Sequence, residues 1–110
     1  MKKRYCLALD LVNDPEKISK YRWYHTDEGI WEEIKEGTRA AGVEMEIYNV
    51  DNRLFMICEV NNETDFFEAR AKMNSGESNP HWEQLMQHFQ QALPGRPLEW
   101  ILMEKVYEVK

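Results

Sequence analysis

Tyr21 and His25 lie four residues apart and are the side chains best placed to do chemistry. On a helix, that spacing puts both on one face. A phenol beside an imidazole is a proton-transfer arrangement, because an imidazole with an ordinary pKa near 6.5 can give and take a proton at neutrality. The structural alternative is that Tyr21, Trp23 and Tyr24 simply pack the helix while His25 hydrogen-bonds locally. Trp82 also carries two readings. With Leu85, Met86 and Phe89 it forms an i, i+3, i+4, i+7 stripe, the pattern of a packed helix. The same indole face could stack on the C–H groups of a sugar whose hydroxyls seek polar partners. Asp10, Glu59 and Glu104 are acidic residues within apolar alternations, and spacing leaves open whether they meet a pocket or solvent. Glu32, Glu33, Glu44 and Glu46 read as a solvated surface.

Other chemistries lack their patterns. The chain contains no GxGxxG, Walker loop, CxxC, HExxH or GxSxG. His25, His81 and His88 have no metal-ligand spacing, and His81 and His88 are two helical turns apart, too far to share an ion, so no metal site is expected. Cys6 and Cys58 each sit in an apolar run with nothing basic spaced to activate them, and read as packed thiols.

The elements that must position these residues can be read in order. Tyr5–Val12 alternates as a strand, with Tyr5, Leu7, Leu9 and Leu11 on one face and Cys6, Ala8 and Asp10 on the other. Asp14 then Pro15 make an N-cap and first helical position. The helical composition runs from Pro15 to about Ala41, with a kink or break expected near Thr26–Gly29 and Gly42 as the residue after the helix. Val43–Val50 and Arg53–Asn61 read as a hairpin joined by Asp51-Asn52. Asn62–Met73 reads as a helix with Thr64 as a possible cap, 74–79 as a loop, and Pro80 as the opening of a third helix ended by Pro94-Gly95-Arg96-Pro97. Trp100–Val109 alternates as a last strand. This order predicts an α+β domain over 1–110, with a ferredoxin-like four-stranded antiparallel sheet and helices on one face.

Composition narrows the class further. One hundred and ten residues, 43% hydrophobic and 31% charged, suit a single globular domain rather than a disordered chain. Fourteen basic against 20 acidic residues give a net charge of -6, which argues against a nucleic-acid partner. No window approaches the roughly 18 apolar residues of a membrane span. The apolar stretch after Met1-Lys2-Lys3-Arg4 stops at Asp10, too early for a secretory leader, so a cytoplasmic location is expected. Leu54, Met56, Cys58 and Val60 occupy one face of the hairpin strand while Phe55 and Ile57 occupy the other. Helices can cover one face. A second subunit is the economical cover for the other, and a homodimer is expected.

With those residues in place, the chain resembles the L-rhamnose mutarotase family over essentially its full length. The resemblance is carried by Tyr5-Cys-Leu-Ala-Leu-Asp-Leu11, by Tyr21-x3-His25 and by Trp31-Glu32-Glu33-Ile34. It continues through Gly42-Val43, Met45-Glu46-Ile47-Tyr48 and Asn52-Arg53-Leu54-Phe55-Met56. Trp82-x3-Met86, Gln90-Gln91-Ala92-Leu93-Pro94-Gly95 and Trp100-x2-Met103-Glu104-Lys105 complete it. It implies a dimeric α/β-barrel built from ferredoxin-like protomers that interconverts the α and β anomers of a 6-deoxy-hexose without a cofactor. The family's proton-donating histidine falls on His25, its sugar-contacting tyrosine on Tyr21, and the aromatic of its third helix on Trp82. Met45 stands where the family has a tyrosine, and Glu83 where it has a second tryptophan. The His25–Trp31 spacing is two residues longer than the form in which a Pro-containing turn follows the histidine. These departures bear on hydroxyl recognition and set L-fucose beside L-rhamnose as the sugar. Two other readings share the architecture: a non-catalytic dimeric ligand-binding module, and a cofactor-free monooxygenase. A polar pocket holding His25, Tyr21 and a carboxylate points to a sugar. A dry one lined by Met and Phe points to the monooxygenase.

Overall fold

A computed structural model describes residues 2–110. Strand β1 (Lys2–Leu11) is the centre of the sheet, and its last five residues are all buried. It pairs antiparallel with β3 (Arg53–Asn61), which pairs antiparallel with β2 (Glu44–Val50) across the two-residue link predicted from Asp51-Asn52. Asp51 takes a φ of 51°, a conformation that Asp and Asn tolerate better than most residues. On the far edge β1 meets β4 (Gln90–Gln91) and β5 (Ile101–Leu102), giving the order β2-β3-β1-β4 with β5 also on β1. This is the antiparallel ferredoxin-like sheet expected, its fourth strand split into two short pieces.

Register separates the two faces. Tyr5, Leu7 and Leu9 lie opposite Cys58, Met56 and Leu54, and Met45 and Ile47 continue that face on β2. Helix α3 (Phe66–Met73) packs Phe66 and Ala69 onto its Leu7–Val60 end. Helices α1 (Pro15–Trp23) and α4 (Asn79–Gln87) pack Tyr21, Trp82 and Met86 onto its Leu11–Leu54 end, and Ile34 of α2 (Glu32–Ala40) joins them. Phe66, Leu7, Leu9, Leu11 and Leu54 are under 2% exposed, and burial contributes roughly 1.5–3 kcal/mol for each such side chain. The other face carries Ala8, already buried, beside the partly open Phe55 and exposed Tyr48 in one row, and Cys6, Ile57 and Glu46 in the next.

Several boundaries differ from the sequence reading. The helix from Pro15 stops at Trp23 and does not resume until Glu32, a longer break than Thr26–Gly29. Gly29 is tied into it: a Cβ there would lie 2.2 Å from the carbonyl oxygen of Trp23. Helix α3 begins at Phe66, because Asp65 rather than Thr64 accepts the first helical N–H groups, those of Phe67 and Glu68. Helix α4 ends at Gln87, and Phe89 keeps its buried place beyond it while Gln90 and Gln91 turn into β4. The last strand is two residues long rather than Trp100–Val109. After the Met103 N–H donates to the Cys6 carbonyl, the chain leaves β1, which itself runs on to Lys2, and Val106, Tyr107 and Val109 are left 93%, 80% and 74% exposed.

Gly42 behaves as predicted. With φ at 74° it follows α2, its N–H bonding the Arg39 carbonyl while the Val43 N–H bonds that of Thr38. That double bond pattern closes the helix and turns the chain into β2. Among the described residues, no helix is long and apolar enough to cross a membrane.

Candidate active site

Helix α1 is started by Asp14, whose carboxylate accepts from the Glu16 N–H, and by Pro15 in the first turn. Its inner face carries Tyr21, 3% exposed, packed with Leu11 and Leu54. The helix ends two residues later, but the His25 N–H still bonds the Arg22 carbonyl at 3.0 Å, so His25 stays on the Tyr21 face after the helix has ended. Their ring centroids are 4.3 Å apart. The His25 Nδ1 lies 2.7 Å from the Tyr21 carbonyl oxygen. A carbonyl can only accept, so Nδ1 carries the hydrogen, and in the neutral imidazole Nε2 keeps its lone pair.

Environment tunes both groups. His25 keeps one side open to solvent, but the protein around its ring removes enough water to lower its pKa below the ordinary value, against the opposing pull of the Tyr21 carbonyl. Burial raises the Tyr21 phenol well above its usual value, and a hydrogen bond from the Gln90 side chain only partly offsets that. Near neutrality the site therefore holds a neutral imidazole and a protonated phenol.

Trp82 forms the adjoining wall, its ring 5.7 Å from that of His25 and steeply inclined to it. Trp31 and Tyr24 set their own rings against Trp82, at 5.2 and 6.1 Å, which fixes its plane. Tyr21, His25 and Trp82 border a cavity of about 810 Å³ that runs between α4, α2 and the β2 end of the sheet. Tyr21, His25, Met45, Trp82 and Glu83, the five residues singled out from the sequence, all line it. Asp10, Glu59 and Glu104 do not. Asp10 is 4% exposed and occupied by Arg53, which donates to both carboxylate oxygens at 2.8 and 3.2 Å; Glu59 accepts from Arg4. Cys58 is buried, its thiol pushed up to about 11 mainly by desolvation, which makes it an unreactive core residue.

Asn79, Gln90 and Arg70 also line the cavity and were not anticipated. Asn79 had a signal: it lies three residues before Trp82, on the same stripe of α4. Gln90 had none, since a two-residue strand places it. Met45, Met56, Met73 and Met86 give the wall an apolar sector, with no phenylalanine among its described residues. Among the described residues there is no group of three or more His, Cys, Asp or Glu side chains that could hold a metal ion.

Comparison with known proteins identifies what this geometry accompanies. A family model described as L-rhamnose mutarotase matches residues 4–109. An L-fucose mutarotase of Xanthomonas campestris pv. campestris is 36% identical over 94 residues, covering 84% of this chain and 74% of that protein. A UPF0734 protein of Dictyostelium discoideum is 32% identical over 120 residues, covering 97% of this chain and 90% of its own length. The crystal structure of an L-rhamnose mutarotase from Formosa agariphila superposes with a TM-score of 0.70 at 21% identity, covering 98% of this chain and 99% of that one, and shares the fold.

Proposed function

The chain belongs to the L-rhamnose mutarotase family, and from that membership we propose that it interconverts the α and β anomers of a 6-deoxy-hexose, L-rhamnose first and L-fucose close behind. The family implies an isomerase, and the finer reading is one of the aldose 1-epimerase type. The observation that carries it is the pairing of His25 with Tyr21 beside the Trp82 wall, in a cavity that also holds a carboxylate, Glu83. The name of the Xanthomonas relative supports keeping L-fucose in view.

In the proposed reaction the sugar stacks on Trp82, and the Nε2 lone pair of His25 takes the proton of the anomeric hydroxyl. The Tyr21 phenol, directly or through a solvent water, lends a proton to the ring oxygen as the C1–O5 bond breaks, leaving the open-chain aldehyde. C1 turns about the C1–C2 bond, O5 attacks the other face of the carbonyl and gives its proton back by the same route, and the proton on His25 returns to O1. Atoms and charge are unchanged over the cycle, so no cofactor is called for. Tyr21 orients the sugar or shares the proton at the ring, and its raised pKa keeps the phenol protonated between turnovers. Met45 offers an apolar surface for the deoxy methyl group, while Glu83 accepts from a ring hydroxyl. We also propose a homodimer that covers the bare sheet face, working in the cytoplasm, where the unbridged thiols Cys6 and Cys58 stay reduced.

Saturation-transfer NMR on equilibrated L-rhamnose, and separately on L-fucose, observes α–β exchange directly. Acceleration of one sugar supports the activity and names its preferred substrate. No acceleration of either overturns the proposal and leaves a ligand-binding module of the same fold.

A further inference from the structure

The cavity-facing stripe of α4 is Asn79, Trp82, Glu83 and Met86, at i, i+3, i+4 and i+7. Asn79 opens that stripe and is only 8% exposed, one of the few polar residues buried in the protein. Its backbone N–H is occupied by the Gly76 carbonyl at 3.1 Å. Its carboxamide is not: among the described residues the side chain makes no hydrogen bond, either to a neighbour or back to the helix. Ser78, not Asn79, stands at the cap position of α4. Yet no side-chain nitrogen or oxygen is sealed away without a partner among the described residues. The amide atoms of Asn79 therefore keep their small remaining surface, and the residue lines the cavity. A buried amide is ordinarily satisfied, since leaving its donors and acceptor unpaired is costly. With its amide still reachable and no protein partner to give up, Asn79 can exchange water for a ligand hydroxyl without breaking a bond inside the protein.

We infer that Asn79 is a specificity-determining residue that reads one ring hydroxyl of the bound sugar. This inference rests on the sugar-binding reading of the site given above. A carboxamide both donates and accepts, as a sugar hydroxyl does, so one Asn side chain can satisfy a hydroxyl in both senses. Glu83, one helical turn on and on the same face, accepts only. Side by side, the two suit neighbouring hydroxyls of a pyranose stacked on the Trp82 indole between them. A site built to bond a hydroxyl rejects an analogue lacking it far more strongly than an apolar pocket rejects an extra group, because its own polar atoms are then left unpaired. Asn79 thus supplies discrimination by hydroxyl position, where Met45 and Trp82 supply shape.

The test measures sugar affinity from the quenching of tryptophan fluorescence, which needs no turnover, in the full chain and in Asn79→Leu and Asn79→Asp. Ligands are L-rhamnose, L-fucose and the monodeoxy analogues of whichever binds more tightly. Asn79→Leu should weaken the parent sugar by roughly tenfold, the scale of one lost hydrogen bond in a desolvated site. One monodeoxy analogue should bind the wild type about as weakly, yet lose nothing further in Asn79→Leu. The conservative Asn79→Asp variant keeps the acceptor and should retain part of the affinity, with circular dichroism showing both variants folded. Equal weakening of every analogue by Asn79→Leu, or no weakening at all, overturns the inference. α–β exchange measured on the same samples separates the two proposals. Sugar binding with the predicted analogue pattern but no exchange removes the mutarotase activity and leaves the role of Asn79 standing. Absence of any sugar binding by the wild type removes both.

Discussion

The tautomer of His25 follows from one contact, and with it the direction of proton flow in the proposed reaction. Because Nδ1 must donate to the Tyr21 carbonyl, Nε2 is the basic atom, and desolvation keeps it neutral further into the acid range than a free imidazole. The sign is therefore set. Protonation on the way down in pH fills the lone pair, so anomer exchange should fall on the acid side with a midpoint below about 6.5. A pH profile of kcat/KM with its acid limb centred above that value contradicts the assignment. His25→Ala should slow exchange by roughly 10²–10⁴-fold, the scale of one general acid–base group; a loss of only a few-fold in saturation-transfer NMR demotes it to a structural histidine. The spacing of Tyr21 and His25 was legible in the sequence because one helical turn fixes it. What the sequence did not display is that the helix ends between them, and that Gln90 reaches the Tyr21 phenol from a strand too short to show any periodicity.

Between the residues and the cavity stands the segment from Tyr24 to Trp31, which carries His25 at one end and the Trp31 brace of Trp82 at the other. Its shape depends on Gly29, where an added Cβ would collide with the backbone of Trp23 and Tyr24 at 2.2–2.8 Å, and backbone atoms cannot swing aside as a side-chain tip can. Gly29→Ala should therefore cost about 1–3 kcal/mol, in the range of overpacking. Differential scanning calorimetry should show Tm lowered by several degrees, with exchange activity reduced as His25 is displaced. An unchanged Tm contradicts the tight approach. Gly was readable here as a breaker, and Gly42 as a helix stop, because both act through local backbone geometry. The C-terminal strand was over-read for the opposite reason. Ile101, Met103 and Tyr107 alternate properly, but alternation does not say how far a strand stays paired, and the chain leaves β1 after Cys6 accepts from Met103 although β1 continues to Lys2.

At the scale of the whole molecule, the sheet has one face under helices and one without. On the bare face Tyr48 and Val50 are more than half exposed, and Phe55 and Ile57 sit partly open between them and β1. The chain past Met103 adds Val106, Tyr107 and Val109 to the apolar surface left in solvent. Its projection accords with a radius of gyration of 14.3 Å, above the roughly 13 Å of a compact chain this long. Contiguous apolar surface of this kind marks an interaction site in most proteins that carry it. In the proposed homodimer, two-fold symmetry would set Tyr48 and Phe55 of one protomer against their equivalents in the partner. Sedimentation analysis should then give twice the 13.2 kDa chain mass. Tyr48→Asp combined with Ile57→Asp places charges in that face without touching the cavity, and should yield a folded monomer with unaltered far-UV circular dichroism. A wild type that sediments as a monomer overturns the dimer. A monomeric double variant that keeps full exchange activity shows that each protomer's site works alone, whereas loss of activity on dissociation shows that the pocket depends on the assembled pair.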